Sequence, residues 1–480
     1  MAHVGADAEE AVFQSFRNGL SINFQVKRGL SITRRSSRLL HYKSWGGYPS
    51  TPQTGVPLYW GQDLLVQLAR YPESKVLPFG NGRSQGDVCL NGGGILVGTR
   101  SMDRFLHFDH LQGTIICESG VLLGELMEMT VPRGWFPIVT PGTRFITIGG
   151  AIANDVHGKN HHRAGSFGNQ VLRLELLRSD GQRLICSPTE NRSWFEATIG
   201  GLGLTGLILW AELRLRPIAN PLIHQQVIRF SHLDDFFAIS VDSDQDYEYT
   251  LAWVDGHATG ANLGRGVLTR GNHAGFFTDS HRQVAQPALQ PSFPVTLPFS
   301  LVNPWTVSLF NKFYYHKPIR KDGYSTIHYR PFFYPLDGIL HWNRVYGRGG
   351  FLQYQCVVPT AHGRDAMKEI LSRIAATRLG SLIAVLKIFG AVSSVGLLSF
   401  PRPGVTLAID FPNPGPRTLE LLSKLDGIVR QAGGAVYPAK DARMSPEAFH
   451  DYYPKTDRFR EFIDPRFSSQ FWRRIRGGNP

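Results

Sequence analysis

The glycine spacing between residues 141 and 168 constrains this chain more than any other feature. The segment reads PGTRFITIGGAIANDVHGKNHHRAGSFG and sets Gly142, Gly149, Gly150, Gly158, Gly165 and Gly168 among small and apolar residues. Glycine permits positive φ and lets a backbone approach a ligand closely. His157, Lys159, His161, His162 and Arg163 lie in the same stretch. Cations and backbone N–H groups around such turns suit a pyrophosphate. A second glycine stretch, residues 78–94, reads PFGNGRSQGDVCLNGGG. Its third glycine falls one position late for a GxGxxG fingerprint, and no helical pattern follows. The reading is strand, glycine turn, strand, and the two stretches are expected to be halves of one large cofactor site.

A chain of 480 residues exceeds one ordinary core, so two domains are expected. Hydrophobic residues at 42% and charged residues at 19% are globular values and exclude a disordered chain. Lys+Arg 51 against Asp+Glu 38 favours anionic partners: phosphorylated substrates, nucleic acid or a membrane face. Cys89, Cys117, Cys186 and Cys356 form no CxxC pair, which fits a reduced, cytosolic setting. The N-terminus lacks the basic start and apolar core of a secretory signal. No run reaches the roughly 18 apolar residues that span a bilayer, which leaves room for peripheral contact at the inner membrane.

In chain order, residues 1–37 read as a flexible, basic extension. Residues 38–219 carry both glycine stretches, a helix at 63–70, a hairpin around Asp180-Gly181 and a third glycine run at 200–206 that opens a strand. Residues 220–434 change texture. Strand-like runs at 225–230, 247–253, 350–358 and 405–411 alternate with amphipathic helices at 363–377 and 416–432, the pattern of an antiparallel sheet backed by helices. Residues 255–335, rich in Pro, aromatic and basic residues, read as loops or a lid. Residues 435–480 are expected to return to the first domain. The fold class is α+β.

Several words in this order resemble the vanillyl-alcohol-oxidase (PCMH-type) FAD-linked oxidoreductases, and within them the decaprenylphosphoryl-ribose 2′-oxidases. They are GRSQGD at 82–87, GGAIANDVHGKNHHRAGSFGN at 149–169, LGLTGL at 202–207, FYPLDGILHWNRVYG at 333–347, GFLQYQCVVPT at 350–360, VLKIFG at 385–390, LSFPRPG at 398–404, YPAKDAR at 437–443 and FHDYYP at 449–454. The resemblance covers roughly residue 45 onward. It implies a two-subdomain FAD-binding domain and a substrate domain with an antiparallel sheet. FAD contacts carry over to Pro78, Phe79, Gly80, Asn81, Gly82, Arg83, Ser84, Gln85, Gly86, Asp87 and Val88. They carry over equally to Gly142, Thr147, Ile148, Gly149, Gly150, Asn154, Asp155, Val156, His157, Ile208 and Tyr437. Arg83 stands where covalent members of the superfamily often carry His, so non-covalent FAD is expected. Bacterial members of the narrower family carry Cys and Asn where this chain has Ala408 and Thr406, and Tyr where it has Gln85.

The implied reaction oxidises the C2′ hydroxyl of a polyprenyl-phosphoryl-β-D-ribose to the 2′-ketone. A short-chain reductase would then complete epimerisation to the arabinose form. The cofactor carries the redox chemistry, and the protein supplies orientation and proton handling. Lys440, just after Tyr437 in YPAKDAR, is the first candidate for a catalytic or substrate-phosphate contact, against a surface ion pair with Asp441 or another acid. His157 is the second, against a satisfied histidine that shapes the flavin pocket. Lys387, costly to bury unpaired in an apolar strand, is assigned to substrate. Gln355 and Tyr354 alternate in a strand, so only one of them can face the pocket; the resemblance favours Gln355, with Gln353 on the same face, as substrate contacts, and Tyr315, Asn343 and Arg344 as weaker wall candidates. The histidine spacing matches no metal motif, and no metal is expected. The terminal WRRIR is expected to be a solvated helix end, with no nucleic-acid role. Two rivals remain: an FAD sugar or aldonolactone oxidase with a soluble substrate, and a non-enzymatic nucleic-acid or lipid binder.

Overall fold

The computed structural model describes residues 42–275, 290–320, 322–380, 382–413 and 415–477. The extension at 1–37 and part of the 255–335 stretch lie outside them. Three sheets organise the rest. The first is parallel, in the order β1–β3–β2, from β1 (Thr54–Pro57), β2 (Val76–Phe79) and β3 (Ile95–Gly98). The glycine turn at 80–94 therefore joins β2 to its parallel neighbour β3.

The second sheet runs β4–β5–β9–β7–β8 and is antiparallel. Its strands are β4 (Phe105–Asp109), β5 (Thr114–Glu118), β7 (Val171–Leu177), β8 (Arg183–Cys186) and the long β9 (Leu207–Pro217). The short β6 (Trp135–Pro137) pairs with the end of β9. The glycine segment lies between β6 and β7 and contains two short helices, Ile148–Ala153 and His161–Ala164; the first is capped by Thr147, whose hydroxyl accepts from the Gly150 N–H. The helix Ile148–Ala153 is absent from the sequence reading because its two glycines disfavour helix.

The third sheet is antiparallel, with eight strands in the order β13–β10–β12–β11–β15–β16–β14–β17. They are β10 (Leu222–Phe230), β11 (Tyr249–Val254), β12 (Gly266–His273), β13 (Tyr324–His328), β14 (Phe351–Val358), β15 (Ala384–Phe389), β16 (Gly404–Pro412) and β17 (Ala435–Val436). Side chains alternate across a strand. Leu386, Leu407, Ile409, Tyr354 and Cys356 join one buried cluster with Met367, Ile370 and Ile374 of the helix Thr360–Thr377 and Leu421, Leu425 and Val429 of the helix Pro416–Gln431. Fully burying one such side chain contributes about 1.5–3 kcal/mol, so this packing fixes the register that aims the other face of the same strands.

Two expectations are corrected. Residues 255–335 are not loops throughout: they include β12, β13 and a 13-residue helix, Pro304–His316. The apolar residues of that helix are partly exposed, so its pattern did not mark a buried face. WRRIR is not a solvated end, save for the exposed Arg476. Trp472 and Ile475 are buried, Arg474 pairs with the buried carboxylates of Asp87 and Asp441 at 2.8 and 3.0 Å, and Arg473 donates to Asn91 Oδ1 and the Gly92 carbonyl.

Candidate active site

The first glycine turn is held in place by a short 3-10 turn, Pro438–Lys440, from the far end of the chain. Gln85 and Asp87 donate their N–H groups to the carbonyls of Ala439 and Asp441. A Cβ added at Gly86 would lie 1.5 Å from the Asp441 carbonyl oxygen, so only glycine permits this approach. Lys440 sits between these two bonds, and its Nζ donates to Gln85 Oε1 at 2.8 Å. It makes no ion pair with Asp441, whose Oδ2 accepts from the N–H groups of Arg443 and Met444 and from Arg474.

The two glycine stretches meet. Asn81 Nδ2 donates to the Phe145 carbonyl at 2.7 Å, and Gly80 lies against Thr147, where a Cβ would come within 2.3 Å of the hydroxyl. A Cβ at Gly142 meets nothing within 4 Å, so that glycine borders open space. Arg83 Nε, Ser119 Oγ and Asn154 Oδ1 are buried with no hydrogen-bond partner among the described residues. Close-packed backbone, an open border and unmatched polar atoms fit a dinucleotide such as FAD. The Arg83 guanidinium lies over the Trp45 ring at 4.0 Å, and burial pulls its pKa down to about 10.

The remainder of the central segment lies on the third sheet. The Thr250 N–H bonds the Lys159 carbonyl, and Tyr437 OH donates to the Asn154 carbonyl at 2.7 Å. The His157 ring packs against Phe389, Phe400 and Tyr437. Gln355 Nε2 donates to His157 Nε2 at 2.8 Å, which leaves the ring proton on Nδ1, an atom with no partner among the described residues.

Strand register builds the opposing wall. Gln355 of β14, Ala408 of β16 and Val385 of β15 lie in one row. Gln353 faces Asp410, and Thr406 faces Lys387, on the same side of the sheet. Gln353 Nε2 donates to Asp410 Oδ1, and Tyr346 OH bonds Asp410 Oδ2.

The electrostatics agree across this cluster. Burial, followed by repulsion from Lys440, pulls the Lys387 pKa down to about 7. Burial, then Lys387, does the same to Lys159, whose Nζ bonds the Phe332 carbonyl. Burial lowers Lys440 to about 8 against the attraction of Asp410. His157 falls well below its ordinary value through burial, Lys387, His161 and Lys440. Asp410 is pushed up to about 7 by burial, opposed by Gln353, Lys440 and Tyr346. Burial is the leading cause of the three ammonium shifts and of the Asp410 shift, so the cluster is a desolvated site in which the charged form of each group is disfavoured until a partner arrives.

Residues 63–187 match the model of the FAD binding domain family. Decaprenylphosphoryl-β-D-ribose oxidase of Mycolicibacterium smegmatis is 36% identical over 83% of this chain and 89% of its own length. The chain belongs to the decaprenylphosphoryl-β-D-ribose oxidase family. An uncharacterised protein of Streptomyces coelicolor is 36% identical over 74% of this chain and 100% of its own. L-gulonolactone oxidase of Mus musculus is 32% identical, over only 32% of this chain and 34% of its own. As in that family, the chain is an FAD-dependent oxidoreductase acting on an alcohol group.

Set against that membership, most residues singled out from sequence converge here: Lys440, His157, Lys387, Gln353 and Gln355. Asn343 stands at the edge, donating to the Trp45 carbonyl beneath Arg83. Tyr315 is not brought in. Its hydroxyl bonds the Phe230 carbonyl and its ring lies between Arg229 and Arg265. Arg344 instead ties down the loop carbonyls of Phe293 and Pro294. Asp155 spends its carboxylate on Ser166, Ser399 and the Gly168 N–H, and Ile208 packs in the second sheet's core. Sequence reading missed Asp410, Tyr346 and the position of Lys159. Asp410 shares strand parity with Thr406 and Ala408, but parity alone did not mark it. Among the described residues no group of three His, Cys, Asp or Glu is set to hold a metal.

Proposed function

We propose that this oxidoreductase converts the C2′ hydroxyl of a polyprenyl-phosphoryl-β-D-ribose to the 2′-ketone. The observation that carries the reading is the Lys440–Gln85 contact, which sets an amine from the sheet side directly on the glycine turn. Residues 38–219 form the two-subdomain FAD-binding part, around the first two sheets. Residues 220–434 form the substrate part, and 435–480 close back onto the first. The FAD is non-covalent, since Arg83 occupies the attachment position.

Bound FAD supplies the hydride acceptor. Proton and phosphate handling fall to the chain. Lys440 Nζ takes the hydroxyl proton as the C2′–H bond breaks. With a pKa near 8, about a tenth of it is the neutral base at pH 7. Lys387 and Lys159 face the phosphate. Their depressed pKa values mean that an arriving anion draws protons onto them and turns two costly buried amines into paired charges. His157 Nδ1–H and the Gln353–Asp410 pair orient the sugar. A reductase of the short-chain type consumes the ketone, and the enzyme works peripherally on a membrane.

Anaerobic mixing with a polyprenyl-phosphoryl ribose tests the reading. The flavin band should bleach and the product should carry a ketone at C2′. Bleaching by an aldonolactone instead would favour a soluble-substrate oxidase, the reading to which the partial L-gulonolactone oxidase similarity points.

A further inference from the structure

The helix Pro304–His316 presents an apolar face that no other described residue covers. Its start is fixed by Asn303, whose side chain accepts from the N–H groups of Trp305 and Thr306. Its inner side buries Val307 and Asn311, the latter donating to Asp255, and sets Tyr314 against Trp253. The outer side carries Trp305, Leu309 and Phe313 at 87, 58 and 71% exposure. A spacing of four places them in one stripe. The preceding loop adds exposed Val295, Phe299 and Leu301. Single exposed apolar residues are ordinary, but a contiguous group of this size marks an interaction surface.

Charge says what kind. Residues 290–320 contain no Asp or Glu. Lys312, Lys317 and Arg320 are exposed within the same stretch. An apolar stripe with aromatic residues and a basic border is the form of an interfacial amphipathic helix on anionic lipid. A second copy of the chain would set this basic border against itself in a two-fold contact.

The patch adjoins the site. Leu301 N–H bonds the Val345 carbonyl and Arg348 N–H the Leu297 carbonyl. From the same turn, Tyr346 reaches Asp410 and Asn343 reaches Trp45.

We infer that the helix Pro304–His316 and the loop before it dock the enzyme on an anionic lipid bilayer. Only the purpose of docking rests on the substrate proposed above: the sugar phosphate enters the site while the prenyl chain stays in lipid.

Full-length, FAD-loaded protein is to be sedimented with phosphatidylcholine vesicles, with and without phosphatidylglycerol. Wild type should pellet with the anionic vesicles. Joint substitution Trp305→Ser, Leu309→Ser and Phe313→Ser should cut the bound fraction at least tenfold, and Lys312→Glu with Lys317→Glu should abolish the preference for anionic lipid. Both variants should reduce flavin at the wild-type rate with a short-chain, water-soluble prenyl-phosphoryl ribose. Undiminished vesicle binding by the triple variant overturns the proposal, as does a wild-type dimer that this variant dissolves. Patch-dependent binding with a flavin that no ribose phosphate reduces upholds the surface and rejects the substrate reading alone.

Discussion

The glycine turns and the β14–β16–β15 face meet at Lys440, yet they are built on opposite terms. The turns are made of backbone. Gly86 passes so close to Asp441 that no side chain fits, and Ile148 and Gly149 commit their N–H groups to the carbonyls of Val121 and Ser119. The sheet face is made of side chains whose backbones do ordinary ladder pairing. Replacing a glycine should therefore destroy a surface, whereas replacing a face residue should change chemistry and leave the fold.

The largest expected effect breaks the backbone half. Gly86→Ala must displace the Pro438–Asp441 turn and should leave protein without FAD, read as loss of flavin absorbance and of thermal stability. Gly142→Ala sharpens the contrast. Its Cβ has room, so the apoprotein should melt unchanged while FAD binds more weakly.

Lys440→Met comes next. It should keep FAD and lose about 10²- to 10⁴-fold in the rate of anaerobic flavin reduction, the usual range for a positioned base. An unchanged rate would remove Lys440 from the chemistry. Lys387→Met should cost less. Loss of one charged hydrogen bond, about 1.5–3 kcal/mol, should appear as a raised KM with kcat nearly kept.

The smallest effects are in pH dependence. The reduction rate should rise as pH passes about 8, where Lys440 becomes neutral. Gln85 Oε1 accepts from the ammonium and so favours the charged form. Gln85→Leu should move that midpoint downward. Stability follows the same lysines. Their folded pKa values lie below the unfolded value, so between about 7 and 10.5 the unfolded chain binds more protons and stability should climb with pH. Inorganic phosphate should flatten that climb, which thermal melts across the range would read.

The same contrast explains what was legible in the sequence. Glycine turns are local, so residues 78–94 and 141–168 could be marked before any fold was known, and their meeting expected. The β14 and β16 strands and the two helices behind them announced themselves by periodicity. The face itself was not local. Gln355 and Lys440 were assigned through resemblance and Lys387 through the cost of burying it unpaired, and only the fold brings them together. Asp410 went unseen because one acid in an apolar strand carries no signal until its neighbour across the ladder, Gln353, is known. Tyr315 was misleading for the converse reason: an aromatic residue near basic ones reads as a pocket wall, although here it packs between Arg229 and Arg265.

The most direct test of the account is single-turnover flavin reduction by polyprenyl-phosphoryl ribose and by the matching riboside without phosphate, in wild type and Lys387→Met. The account predicts that wild type strongly prefers the phosphorylated compound and that Lys387→Met loses most of that preference. Equal rates with both compounds in wild type would contradict the claim that the cationic face exists to hold the phosphate.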